Sequence, residues 1–119
     1  MAQHRILVVD DHPDAVKALC TLLQLLGHES LGLTRGAGVI EAFDSFHPTL
    51  ALLDIGLPDI SGYELARTLR GRGHTGRLVA ITGWGTPTDR QRALDAGFDE
   101  HIVKPVDAHV VRQVIARAS

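Results

Sequence analysis

The chain reads as a parallel α/β sandwich of three layers, and three observations predict it. Short apolar runs alternate with segments of helical spacing from one end to the other. The middle run, Leu50-Ala51-Leu52-Leu53, has no polar alternation, which marks a strand covered on both faces. Polar residues then follow the apolar runs: Asp10 and Asp11, Asp54, Thr82 and Lys104. Strands joined through helices make right-handed crossovers, so the helices should cover both faces of one sheet.

The first strand is read from Arg5 to Asp10. Pro13 lies just inside the helix that follows, where a missing N–H costs least, with Asp11 or His12 as the cap. Ala15, Val16, Leu19, Leu22, Leu23 and Leu26 form its apolar stripe, flanked by Ala18 and Leu25, and Gly27 should end it. A weak second strand is expected around Glu29 to Leu33. Val39 to Phe46 follows as a short helix with Ile40, Phe43 and Phe46 inward, stopped by Pro48. Leu50 to Leu53 is the central strand. The loop 55–62, dense in Gly, Pro and Ser, leads to helical spacing from Tyr63 to Leu69. After a turn at 71–76 come a fourth strand from Leu78 to Thr82, a loop at 83–87 and a helix from Thr88 to Ala96 that Gly97 ends. A short fifth strand runs from His101 to Val103. Asp107 caps the last helix, whose apolar face is Val110, Val111, Val114 and Ile115.

At 119 residues and 45% hydrophobic content the chain is expected to form one domain, 1–119. A formal net charge of -2 with no basic stripe argues against direct nucleic-acid binding. Cys20 is the one cysteine, which excludes an internal disulfide, and it is read as a packing residue. The N-terminal residues run straight into an apolar strand too short for a signal segment or a membrane span, so a cytoplasmic protein is expected.

In parallel α/β sheets, sites form at the carboxyl edge of the strands. Asp10, Asp11 and Asp54 would meet there with the hydroxyl of Thr82 and the ammonium of Lys104. Three close carboxylates repel one another, so keeping all of them ionised implies a bound cation, and hard oxygen ligands suit Mg2+. Gly56, two residues past Asp54, could add its backbone carbonyl. Lys104 precedes Pro105, and a cis bond there would aim the ammonium at Asp54. A nucleophilic carboxylate, a metal, a cation and a hydroxyl donor are the equipment for phosphoryl transfer by positioning and charge neutralisation. Plainer readings stand beside this one: a solvated acidic pair, a structural ion pair for Lys104, and a strand-end threonine with no role.

The motifs Val8-Val9-Asp10-Asp11-His12-Pro13, Leu52-Leu53-Asp54-Ile55-Gly56-Leu57-Pro58 with Gly62, Ala80-Ile81-Thr82-Gly83, and Ala96-Gly97-Phe98-Asp99 leading to Val103-Lys104-Pro105-Val106-Asp107 span nearly the whole chain. In these it resembles the receiver domain of the two-component response regulator family. That resemblance implies a flavodoxin-like fold with five parallel strands in the order 2-1-3-4-5 and five helices. It implies a switch rather than an enzyme, with self-catalysed phosphoryl transfer and autodephosphorylation only. Asp54 would be the phosphoacceptor, taking the group from a phosphohistidine of a sensor histidine kinase or histidine phosphotransfer protein. Asp11, Asp54 and the Gly56 carbonyl would hold Mg2+, with Asp10 acting through water. Lys104 would pair with Asp54 and later with the phosphoryl oxygens, and Thr82 would move toward the phosphoryl group. The surface of the fourth helix, fifth strand and fifth helix would then change, and a phosphorylation-dependent homodimer is one expected output. A weaker similarity, through Ile81-Thr82-Gly83-Trp84-Gly85 and Ala96 to His101, is to receivers attached to hybrid histidine kinases.

Two places depart from the family pattern. His101 stands three residues before the lysine, where the family often has Tyr or Phe, so the switch is expected to be altered or pH-sensitive there. Trp84 is bulky where the family tunes water access, and it is read either as a cover that slows loss of the phosphoryl group or as a partner contact. An aspartyl phosphohydrolase would need a second Asp where Gly56 stands. A flavin or nucleotide module would need Gly, Ser or Thr where the first loop reads Asp-Asp-His-Pro. An unphosphorylated pseudo-receiver acting by protein contact is the remaining alternative, and the intact set of five polar residues argues against it.

Overall fold

A computed structural model describes residues 3–83 and 85–118. Strand and helix alternate five times: β1 (Arg5–Val9), α1 (Pro13–Leu25), β2 (Glu29–Leu33), α2 (Val39–Phe46), β3 (Leu50–Asp54), α3 (Gly62–Gly71), β4 (Arg77–Thr82), α4 (Pro87–Ala96), β5 (Glu100–Val103) and α5 (Ala108–Ala118). The five strands form one parallel sheet in the order β2-β1-β3-β4-β5. This is the predicted architecture. The continuous apolar run lies at its centre: all five residues of β3 are buried, as a strand needs when helices lie on both faces.

Alternation along the strands divides the interior into two cores. Leu7, Val9, Ala51, Leu53, Leu78 and Ala80 face one side, where they pack with Val39, Phe43, Leu65, Leu69, Ala93 and Ala96 of α2, α3 and α4. Ile6, Val8, Leu50, Leu52, Val79 and Ile81 face the other, against Val16, Leu19 and Leu23 of α1 and Val111, Val114 and Ile115 of α5. Period-2 strands and period-3.6 helices thus meet in two seams.

Several boundaries differ from the sequence reading. β1 ends at Val9, leaving Asp10 beyond the strand, and α1 ends at Leu25 with Leu26 as C-cap. In α2 Val39, Ala42 and Phe43 are the buried residues. Phe46 is instead half-buried with the Arg5 guanidinium over its ring. His12 occupies the N-cap position of α1, but its side chain makes no capping bond. Ser61, Thr86 and Asp107 do cap, accepting from the backbone N–H groups of Tyr63, Asp89 and Val110.

Two features set the walls of the carboxyl edge. A Cβ on Gly62 would fall 2.6 Å from the Ile55 Cα and 3.0 Å from the Asp54 carbonyl oxygen, so only glycine lets α3 start this close to the end of β3. The exposed Asp59 carboxylate accepts from the backbone N–H groups of Gly36 and Ala37, each at 2.8 Å, which ties the loop after β3 to the loop after β2.

Candidate functional site

Asp10, Asp11, Asp54, Thr82 and Lys104 stand at or just past the ends of β1, β3, β4 and β5, at the carboxyl edge. Asp10, Asp54 and Thr82 are buried, whereas Asp11 is exposed. The Lys104 ammonium donates to Asp54 Oδ2 at 2.8 Å and lies 3.4 Å from Asp10 Oδ2. It therefore bridges the acids of β1 and β3 from the far side of β4. Its own backbone N–H donates to the Thr82 carbonyl, and the Lys104–Pro105 peptide is cis.

The other oxygen of Asp54, Oδ1, accepts the backbone N–H of Gly56 at 2.8 Å. A cavity of about 320 Å³ opens over this carboxylate, lined by Asp54, Gly56, Thr82 and Gly83 and walled by Tyr63, Asp89 and Arg92. Arg92 lies over the Tyr63 ring, 4.2 Å from its centroid. The space is polar at its base and has a guanidinium on its rim, a setting suited to an oxyanion beside Asp54.

Electrostatics follow from this packing. Burial pushes the Asp10 carboxyl up, but hydrogen bonds from the His12 backbone and ring and the charge of Lys104 outweigh it and hold the carboxyl below its ordinary value. For Lys104, burial works against the charged form, while the bond to Asp54 and the charges of Asp54 and Asp10 raise its pKa overall. Lys104 and Asp10 thus keep each other ionised.

One participant was not singled out from the sequence beyond a capping role. The His12 ring nitrogen Nδ1 lies 3.1 Å from Asp10 Oδ1 and 3.0 Å from Asp11 Oδ1. Ligand atoms of Asp10, Asp11 and His12 all fall within 4.8 Å of one another, and Asp54 is not part of that group. The hydrogen bond to Asp10 and the charges of Asp11 and Asp10 raise the His12 pKa. The sequence signal was its place directly after the acidic pair.

His101 is half-buried on β5 and pairs in register with Ala80. Its Nε2 is buried without a hydrogen-bond partner among the described residues. Burial, then the Arg90 charge, lower its pKa, against an opposing pull from Asp89. Trp84, expected over the pocket, lies outside the described residues. On the opposite side, a groove of about 620 Å³ runs from Asp10, His12 and Lys104 between α1 and the loop after β5, floored by Ala18, Leu19, Leu22, Pro105 and Val106. Ala18 lines this groove, whereas Leu25, 80% exposed, does not.

Residues 6–116 match the family model of the response regulator receiver domain. Over 100 residues the chain is 35% identical to the transcriptional regulatory protein KdpE of Mycobacterium tuberculosis, which covers 84% of this chain and 44% of that protein. Over 110 residues it is 31% identical to the sensor histidine kinase RcsC of Escherichia coli, covering 92% of this chain and 12% of that one. The chain thus spans less than half the length of these relatives. Among solved structures it is similar to a CheY-like receiver domain protein from Methanospirillum hungatei, with a TM-score of 0.88 at 25% identity over 98% of this chain and 94% of that one. The chemotaxis protein CheY4 of Vibrio cholerae shares the fold, with a TM-score of 0.92 at 19% identity over 99% and 100% of the two chains.

Proposed function

Since the chain belongs to the response regulator receiver domain family, and so to phosphorylation-dependent signalling, we propose that Asp54 is its phosphoacceptor and that the edge around it is the switch. The observation that carries this reading is the Asp54 carboxylate itself, held by the Gly56 N–H and the Lys104 ammonium and facing a polar cavity. An Asp54 oxygen attacks the phosphorus of a phosphohistidine on a kinase or phosphotransfer protein. The P–N bond breaks, the imidazole nitrogen keeps the electron pair, and an acyl phosphate forms.

Asp11 and Asp54, with the Gly56 carbonyl and with Asp10 through water, would hold Mg2+. The donor set fits, because hard oxygens from carboxylates and a carbonyl leave positions for water and a phosphoryl oxygen. Bound there, the cation would neutralise charge on the transferring group. Lys104 exchanges its bond to Asp54 for one to a phosphoryl oxygen, and Thr82, on the cavity wall, hydrogen-bonds another. Movement of Thr82 draws in the loop after β4. His101, on the same face of the sheet, takes the place from which an aromatic side chain follows that threonine, and the surface of α4, β5 and α5 changes with it.

The groove along α1 supports docking of the phosphodonor, since it runs from the acidic edge over apolar side chains, the lining on which an amphipathic helix bearing histidine would dock. The relatives comprise a transcriptional regulator and a sensor kinase, so an effector domain, a kinase core or a phosphorylation-dependent homodimer are the outputs that this reading allows. Incubation with Mg2+ and acetyl phosphate followed by intact mass tests the chemistry. A single Mg2+-dependent phosphoryl adduct is expected, absent in Asp54→Asn. An adduct of equal yield in that variant would refute the assignment.

A further inference from the structure

We propose that Arg92 is a phosphoryl-binding residue: its guanidinium, laid over the Tyr63 ring at the rim of the Asp54 cavity, pairs with oxygens of the incoming phosphoryl group. The inference rests on Asp54 as the phosphoacceptor and adds a residue that lies outside every motif of the sequence.

Position supports it first. Tyr63 of α3 and Asp89 and Arg92 of α4 wall the cavity that contains the Asp54 carboxylate. Tyr63 is buried, so its ring is a fixed platform, and the Arg92 guanidinium sits 4.2 Å from the ring centroid. A side chain this long loses freedom when it binds an anion, and stacking removes part of that cost beforehand.

Partners support it next. Among the described residues the Arg92 guanidinium has no hydrogen bond and no ion pair. Asp89, in the same wall, is committed to the start of α4. Its Oδ2 accepts the Thr86 hydroxyl at 2.8 Å, and its backbone N–H donates to Thr86 Oγ1. Lys104 already pairs with Asp54 and Asp10. Arg92 is thus left open to an anion.

Charge then gives it a task. In formal charges Asp10, Asp11 and Asp54 are balanced by Lys104 and a divalent cation. Phosphorylation turns the Asp54 carboxylate into an uncharged acyl linkage and brings a group carrying about -1.5 to -2, which leaves up to about one negative charge in excess. A planar guanidinium offers parallel N–H groups to two phosphoryl oxygens. Arg92 supplies it from a cavity that Lys104 does not line.

Transfer from acetyl phosphate to the intact chain with Mg2+ tests this. An Asp54 oxygen attacks phosphorus, the bond from phosphorus to the acetate oxygen breaks, and acetate leaves with the electron pair. The second-order rate constant is read by intact mass at several ionic strengths in wild type, Arg92→Gln, Arg92→Lys and Arg67→Gln. Arg67, exposed on α3 and not part of the cavity lining, controls for the loss of one positive charge. Expected results are a loss of about tenfold or more in Arg92→Gln, as for a charge-assisted hydrogen bond, a smaller loss in Arg92→Lys, which keeps the charge without the fork, and little change in Arg67→Gln. Salt should slow wild type more steeply than Arg92→Gln, a difference that a role in packing alone does not produce. A wild-type rate in Arg92→Gln, an equal loss in Arg67→Gln or an equal salt slope in wild type and Arg92→Gln would overturn the role of Arg92 and leave Asp54 as acceptor. No adduct in wild type, or one undiminished in Asp54→Asn, would overturn both.

Discussion

Replacing Lys104 by methionine removes the ammonium and keeps most of the stem. Two carboxylates, each no more than 7% exposed as side chains, then face each other without the charge between them. At the 2.8 Å contact with Asp54, unit charges attract by about 6 kcal/mol at an effective dielectric of 20 and by about 1.5 kcal/mol in water. The Lys104 side chain is 32% exposed, so solvent screens much of the larger value, and burying the ammonium costs part of the rest. We expect a net loss of about 1–3 kcal/mol. For a chain of this length that lowers Tm by about 4 °C per kcal/mol, or about 4–12 °C in all.

Thermal melts followed by circular dichroism at several pH values check this. The Asp10 carboxyl is held below its ordinary 3.8, so its stabilising share is present above that value and is lost as pH falls through the folded pKa. Lys104 is raised above 10.5, so its share is present below that value and lost as pH climbs past the folded pKa. The gap between wild type and Lys104→Met should therefore be widest between about pH 4 and pH 10, close at lower pH as Asp10 protonates, and narrow on adding Mg2+. A variant that melts within about 1 °C of wild type at pH 7, or a gap undiminished near pH 2, would refute the coupling.

Other outcomes follow from single contacts. Burial and the nearby His4 lower the His28 pKa, and its Nδ1 accepts the His4 backbone N–H at 2.9 Å; protonation then favours the unfolded chain, so stability should fall as pH drops below about 6.5. Chemical denaturation at pH 7 and pH 5 should show a shallower loss in His28→Leu. Gly62→Ala would set a Cβ against backbone and should cost about 1–3 kcal/mol, outweighing the better helix propensity of alanine. Gly71→Ala, with nothing within 4 Å of the new Cβ, should gain up to about 1 kcal/mol, and equal melting shifts for the two would contradict the close approach. Hydrogen exchange at Gly36 and Ala37 should speed up in Asp59→Ala, which removes both acceptors, while amides of the central strand keep their protection.

How much of the molecule the sequence already contained differs between its parts. Element order and the central place of Leu50 to Leu53 were legible because they depend on periodicity and composition, which are local. That Asp10, Asp54, Thr82 and Lys104 gather at one edge was legible for a related reason. Each follows an apolar run, and parallel strands must deliver their ends to one edge.

Distances belong to the fold. Asp54 and Lys104 are fifty residues apart along the chain, and their 2.8 Å contact depends on the stagger of β3, β4 and β5, which no local pattern encodes. The turn of the His12 ring onto two carboxylates was hidden as well, because a polar residue before Pro13 reads as a cap, and only the placement of Asp10 and Asp11 around it decides otherwise. Helix ends misread by one or two residues, and Phe46 drawn out beneath Arg5, have the same origin: local propensities there differ by less than a tertiary contact is worth.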